Sequence, residues 1–185
     1  DEPFDTSPYA PASRLFWSEF YLDATRIPEF SRSQEAQSLL RSAEVAQEME
    51  RLRATPLVDY HAAMALKRRV LEELARRFFQ EPSGERQAAL ERFIRENPLV
   101  EDYARFRATM ERQQAPWPRW PLPARNGDLR PGDYSDDAYR YHLYVQWQAH
   151  EQMDEVASAA RRRGQRLNLD LPLGVHPDGY DVWRE

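Results

Sequence analysis

Residues 135–174 read SDDAYRYHLYVQWQAHEQMDEVASAARRRGQRLNLDLPLG, and a change of period inside this stretch decides the fold reading. Ser135 stands where a helix cap belongs, Asp136 and Asp137 fall in the first turn, Arg161 to Arg163 in the last, and Gly164 follows. Acid first, base last and glycine after is the order that a helix dipole and a C-cap favour. Tyr141, Val145, Ala149, Met153, Val156 and Ala160 share one face at helical spacing, predicting an amphipathic helix to about Arg163. Past Gly164 the period drops to two. Leu167, Leu169 and Leu171 alternate with Asn168 and Asp170, which predicts a short strand over 166–171. A long helix feeding a strand is the order of an α/β unit. If the leucines face covering helices, Asn168 and Asp170 face the opposite side, which in an αβ barrel is the interior. A carboxylate at the end of a strand, just before Pro172-Leu173-Gly174, is where barrel enzymes place polar site residues. A strand-end Asp that caps a loop fits the local pattern equally well.

Upstream the chain reads as helix punctuated by proline. Pro3, Pro8, Pro11 and Pro28 break any helix before Arg32, leaving loop with Phe20-Tyr21-Leu22 as at best a short strand. Ser33 opens a helical region over 34–53, carried by Leu39, Ala43, Ala46 and Met49 and ended by Thr55-Pro56. Asp59 caps the next helix, to about Phe79, with Leu66, Val70, Leu74 and Phe78 every fourth residue. After the turn at Pro82-Ser83-Gly84 a shorter helix presents Leu90, Phe93 and Ile94. Asn97-Pro98 is a helix start with Asn as cap, followed by the stripe Leu99, Tyr103, Phe106 and Met110. Between Ala115 and Tyr134 five prolines and two glycines make an ordered loop anchored by Trp117 and Trp120. The domain reading is therefore 1–33, then a helical subdomain with its Pro/Trp-rich loop over 34–134, then helix, strand and loop over 135–185.

Composition excludes several function classes. The 185 residues suit one ordinary domain, 41% hydrophobic and 12% aromatic. A formal net charge of -5 argues against a nucleic-acid partner, because phosphate binding needs a basic face. No apolar run approaches the roughly 18 residues of a membrane helix, so no membrane partner is expected. Cysteine is absent, which removes disulfides and thiolate metal sites and fits a cytoplasmic setting. Asp1 is not a methionine, no charged-then-apolar leader follows it, and Asp181 to Glu185 carries no cap or polar tail. Both ends are read as cuts through a longer chain.

The candidate chemistry is that of recognition. Tyr9, between Pro8 and Pro11, is a rigid ring with a polar tip that suits the apolar face of a pyranose, although a loop tyrosine tucked into a core is locally the commoner case. Trp117 and Trp120 offer indoles for stacking, but a plug fixing the proline loop to the helices is favoured. The four histidines make no metal site: His142 and His150 are eight apart on one helix, His61 sits near a helix start, and His176 lies in a turn. No phosphate loop and no nucleophile elbow is present. Charge runs such as Glu48 to Arg53 are solvated helix faces.

Three blocks, in order and covering most of the chain, resemble one family. They are Ser7-Pro8-Tyr9-Ala10-Pro11-Ala12-Ser13-Arg14-Leu15-Phe16, running on through Phe20-Tyr21-Leu22-Asp23 to Ile27-Pro28-Glu29-Phe30; then Val58-Asp59-Tyr60 with Lys67 and Phe78; then Tyr141 to Trp147 followed by Leu169 to Val175 and Asp178-Gly179-Tyr180-Asp181-Val182-Trp183. Together they are similar to the 4-α-glucanotransferases, the amylomaltases of glycoside hydrolase family 77. The resemblance implies a mainly α chain with a few short strands, a truncated part of a (β/α)₈ TIM barrel carrying a helical insertion. It implies transfer of α-1,4-glucan segments to the 4-hydroxyl of an acceptor by a retaining mechanism with two carboxylates, with maltooligosaccharides as partners and no cofactor. The family's Arg-x-Asp-His-like nucleophile motif and Ala-Glu-Asp-like acid motif do not occur in this sequence, so no catalytic residue is expected in it. What carries over is substrate contact. Ser7 and Tyr9 match the loop over the donor-side glucose, Asp170 a strand-end carboxylate near that sugar, and Asp178 and Trp183 a loop bordering the cleft. Ser18 departs from the family's usual Asn, which removes one hydrogen-bonding amide. The competing reading is a helical interaction module that keeps barrel-derived residues without activity; it would present an exposed apolar helix face.

Overall fold

The computed structural model describes residues 10–81, 84–170 and 172–185. Three short 3-10 turns at Glu19–Tyr21, Ala24–Arg26 and Pro28–Arg32 lead into α1 (Gln34–Leu40), α2 (Ala43–Ala54), α3 (Tyr60–Gln80), α4 (Gly84–Glu96) and α5 (Val100–Gln113). A further 3-10 turn at Trp117–Arg119 precedes α6 (Leu122–Arg125), the long α7 (Asp136–Arg162) and the short α8 (Tyr180–Arg184). Caps explain most of the boundaries. The side chains of Ser33, Asp59 and Ser135 accept from the backbone N–H groups of Ala36, Ala62 and Ala138, satisfying a donor that the helix leaves open. Ser42 does the same for Val45, which is why the expected single run over 34–53 is two helices. Gly164 at φ +67° closes α7, and the N–H of Gln165 reaches back to the carbonyl of Ala160 at 2.9 Å.

Asn97 does not cap α5 as expected. Its side-chain amide donates to the carbonyl of Phe93 at 2.9 Å, finishing α4 instead, and α5 begins only at Val100.

The expected strands are corrected as well. Among the described residues there is no strand, only an isolated bridge between Pro131 and Tyr134. Phe20-Tyr21-Leu22 belongs to a 3-10 turn capped by Ser18, and the Lys67 ammonium takes up the carbonyls of Phe20 and Leu22 that a strand would have offered to a neighbour. Residues 165–170 are irregular and exposed, with Leu167 and Leu169 in solvent at 44% and 61% exposure. The physical reason is pairing: a strand's N–H and C=O groups need a partner strand, and no described segment lies alongside to supply one.

α7 packs most extensively on α5 and next on α3, so it is the central helix. Its face from Tyr141 to Ala149 is buried, with Leu143, Val145 and Trp147 meeting Val70, Leu74 and Phe78 of α3 and Leu90 and Phe93 of α4 in the main core. A second, aromatic cluster forms at the other side of α5: Tyr103, Phe106 and Met110 with Trp120, Tyr180 and Trp183.

Candidate functional site

Two segments far apart in sequence meet where the family-like loops lie. The N–H of His176 donates to the carbonyl of Pro11 at 2.9 Å, and that of Tyr180 to Ala12 at 2.7 Å. Across the same seam the Asp181 carboxylate, 12% exposed, accepts from Ser13 Oγ at 2.5 Å and from the N–H of Arg14 at 2.9 Å. Ser13 Oγ in turn accepts from the N–H of Leu15 at 3.0 Å. Gly179 is required by this approach and not by its backbone angle, an ordinary φ of −78°: a Cβ there would sit 2.5 Å from the Ala12 carbonyl oxygen and 2.9 Å from that of His176.

The seam rests on the aromatic cluster. Phe16 stacks on Tyr103 at 4.1 Å, and Trp183 lies 5.0 Å from Phe106 while its Nε1–H donates to the Ala124 carbonyl at 2.9 Å. On the other side of α8 the Tyr180 hydroxyl donates to Asp102 at 2.9 Å, and Arg184 lies 3.3 Å from the same carboxylate. Burial first, then that carboxylate, raises the Tyr180 phenol well above its ordinary pKa and keeps it a donor. Two glutamines of α7 hold the chain beyond the seam as a paired strand would: Gln146 accepts from and donates to Trp17, and Gln152 does so with Asp23.

Beneath this segment lies a buried ionic network. Glu19 and Arg107, 3% and 7% exposed, pair at 3.2 Å. Burial alone would raise the Glu19 pKa, but the charge of Arg107, followed by His142, outweighs it and the carboxyl is held below its ordinary range. Arg68 grips Glu111 with both guanidinium nitrogens, at 2.7 and 2.8 Å, and His142 Nε2 lies 2.6 Å from the same carboxylate. Burial opposes the charge on Glu111, yet the hydrogen bonds of His142 and Arg68 prevail and its pKa is depressed. Burial pushes the enclosed His142 imidazole below its ordinary pKa, against the pull of Glu111. Glu19, Arg107 and His142 are enclosed and paired within the fold, whereas Arg68 and Glu111 reach a surface hollow and are only partly buried.

The residues expected from sequence are distributed as follows. Ser7 and Tyr9 lie outside the described residues. Asp170 is exposed on the irregular 165–170 segment and makes no bond to a described residue. Asp178 is half-buried in the seam loop, its N–H donating to Nδ1 of His176 at 3.1 Å. Trp183, expected as a substrate contact in a loop bordering the cleft, is 5% exposed and sits under the loop, enclosed by Phe106, Trp120 and Tyr180. Trp120 is the buried plug and donates to Ala115, whereas the half-buried Trp117 ties the proline loop to the seam through the Pro177 carbonyl at 3.1 Å. His61 is exposed in the first turn of α3, where Asp59 already caps. Among the described residues no group of three His, Asp or Glu side chains is placed to hold a metal, and no helix is long and apolar enough to cross a membrane. Sequence reasoning did not find Ser13 and Asp181, because partners 168 residues apart leave no local signal.

The seam of loops thus lies on an aromatic floor carried by α5 and α8. The whole of the chain, residues 1–185, matches the model of the 4-alpha-glucanotransferase family, and the chain belongs to that family. It is 34% identical over 190 residues to a 4-alpha-glucanotransferase of Mycobacterium tuberculosis, covering 98% of this chain and 25% of that protein. The 4-alpha-glucanotransferase of Thermus thermophilus is 33% identical over 132 residues, 68% of this chain and 26% of the relative. That of Haemophilus influenzae is 24% identical over 203 residues, 97% of this chain and 28% of the relative. The chain spans about a quarter of the length of these curated relatives.

Proposed function

We propose that this chain is the donor-binding part of a longer 4-α-glucanotransferase of the (β/α)₈ type, which cuts an α-1,4-glucan and passes the cut segment to the 4-hydroxyl of another glucan or glucose. In the retaining mechanism one carboxylate attacks the anomeric carbon to form a glycosyl-enzyme, while a second protonates the leaving oxygen and then deprotonates the acceptor hydroxyl. Both carboxylates belong to parts of the longer protein beyond these residues, since neither motif that would carry them occurs here. Ser7, Tyr9, Asp170 and Asp178 are the proposed sugar contacts, with Trp183 supporting the loop from beneath. The proposed substrates are maltooligosaccharides and longer α-1,4-glucans, handled in the cytoplasm.

The observation that carries this reading is the seam. Pro11, Ala12 and Ser13, which follow Ser7-Pro8-Tyr9 in sequence, are bonded to His176, Tyr180 and Asp181 around Asp178, which supports the reading that both stretches border one cleft. Among the described residues the apolar stripes of α3 and α4 are buried in the main core with α7, and that of α5 in the aromatic cluster with Trp120, Tyr180 and Trp183, which weighs against an interaction module.

The test compares Tyr9→Ala and Asp170→Asn in the full-length enzyme with maltotriose as donor and acceptor. Loss of a hydrogen bond to a charged group costs about 1.5–3 kcal/mol, so Asp170→Asn cuts kcat/KM roughly ten- to a hundred-fold. Wild-type kcat/KM in both variants would refute the assignment. The 185-residue chain alone, incubated with maltotriose, releases no glucose and makes no longer dextrins; disproportionation by it would place the catalytic carboxylates in this chain.

A further inference from the structure

We infer that Trp117 and His176 are positioning residues: between them they hold the peptide group that leads into Asp178 and so fix where its carboxylate is presented to a glucan. The inference rests on the reading of Asp178 as a sugar contact, and adds two residues which that reading does not contain.

His176-Pro177-Asp178-Gly179 is a tight turn, closed by the Gly179 N–H donating to the His176 carbonyl at 2.8 Å. Proline at its second position and glycine at its last suit such a turn, and the pyrrolidine ring locks φ of Pro177. Asp178 stands third, and both peptide groups that flank its Cα are held. In the one before it, the Pro177 carbonyl accepts from the Trp117 indole N–H at 3.1 Å, while the Asp178 N–H donates to Nδ1 of His176 at 3.1 Å. A peptide group is planar, so bonds at its two opposite ends set the orientation of the whole plane. In the one after it, the Gly179 N–H is fixed by the turn bond itself. With both planes set, φ and ψ of Asp178 are set, and only its side-chain torsions remain.

The two holding groups are themselves anchored. Trp117 stands between Pro116 and Pro118 in a 3-10 turn and packs on the aromatic cluster. His176 donates its own N–H to the Pro11 carbonyl at 2.9 Å. The Asp178 carboxylate is different: it has no hydrogen-bond or ion-pair partner among the described residues. An acceptor left uncommitted on a backbone held this closely is what a ligand rich in hydroxyl donors requires, and a small displacement of such a group is enough for a large kinetic effect.

The experiment follows maltotriose disproportionation by the full-length enzyme. Trp117→Phe keeps a ring and removes the N–H; His176→Ala removes the acceptor. Each is expected to raise KM about three- to ten-fold, the range that goes with one neutral hydrogen bond, while kcat stays within about two-fold. Loss of folded enzyme would instead lower the apparent kcat and leave KM alone. His176→Asn brings KM back to within about two-fold of wild type, because an Asn side-chain oxygen reaches the N–H two residues on. Asp178→Ala raises KM at least about ten-fold, and in that background Trp117→Phe and His176→Ala change it by less than about two-fold, since residues acting in series do not add. Should His176→Ala fail to fold, Trp117→Phe carries the comparison alone. Wild-type KM in either variant beside a raised KM in Asp178→Ala overturns this inference alone. So does full additivity with Asp178→Ala, or a His176→Asn enzyme no better than His176→Ala. An unchanged KM in Asp178→Ala overturns the sugar-contact reading of that residue and this inference with it.

Discussion

Replacing Arg107 by methionine tests whether the pair beneath the seam stabilises the fold or only survives within it. Glu19 is 3% exposed and Arg107 is 7% exposed, at 3.2 Å, so the substitution leaves a carboxylate enclosed with its main counter-charge gone. Breaking a buried pair from one side costs about 3–5 kcal/mol. At about 2–4 °C per kcal/mol for a chain of this size, Tm falls by roughly 6–20 °C. The loss depends on pH. With Arg107 present the Glu19 pKa is lowered, so its contribution is in place above the unfolded carboxyl value and fades as pH drops through the folded one. Without Arg107 the burial that opposes ionisation dominates, the folded pKa rises above the unfolded value, and the variant loses stability as pH climbs. The gap between the two proteins therefore widens from about pH 4 to about pH 7. Adding Glu19→Leu removes the stranded charge and returns about 1–4 kcal/mol. Urea unfolding of the wild type, the single variant and the double variant at both pH values measures all of this. A double variant no more stable than Arg107→Met alone would refute the argument, because the loss would then come from packing.

Three further outcomes are expected. The folded chain suppresses protonation of His142 below its ordinary 6.5, so the unfolded state binds more protons and stability falls as pH drops past about 6.5; His142→Gln should flatten that part of the urea-midpoint profile. Trp183→Ala removes a ring enclosed by Phe106, Trp120 and Tyr180 and should cost about 3–5 kcal/mol by thermal unfolding, whereas a loss under about 1 kcal/mol would mean that the ring is not core. Amide exchange should be slowest in the buried stretches of α3, α5 and α7 and fast over 165–170, with His176 and Tyr180 slowed by their bonds to Pro11 and Ala12; rapid exchange at those two amides would dissolve the seam.

Helices were legible wherever a cap and a stripe agreed. Ser33, Asp59 and Ser135 each precede a helix in the structure, and the stripes on α3 and α7 are buried as their spacing predicts. Asn97 misled because an amide can close a preceding helix as well as open the next, and sequence alone does not say which carbonyl is within reach. The alternation at 166–171 is a real period-two pattern, but pairing is a property of two segments and the pattern states only one of them. Among site residues, Trp183 was readable as an aromatic in a family-like loop, while its enclosure depends on Phe106 and Trp120, which are distant in sequence. Ser13 and Asp181 each stand in a family-like block, but nothing in the sequence pairs the two.

The bond from Ser13 to Asp181 also sets an order of events. It closes a loop of 168 residues, whereas the caps and most helix contacts are made within a few tens of residues. Each doubling of loop length adds only about 0.6 kcal/mol to closure, so the bond survives once made, but it is among the slowest to find. During synthesis the segment at 11–14 leaves the ribosome before its seam partners and is not bonded to them until His176, Tyr180 and Asp181 emerge. The stretch that follows Tyr9 is thus made early and placed late, with α3, α5 and α7 assembled while it waits.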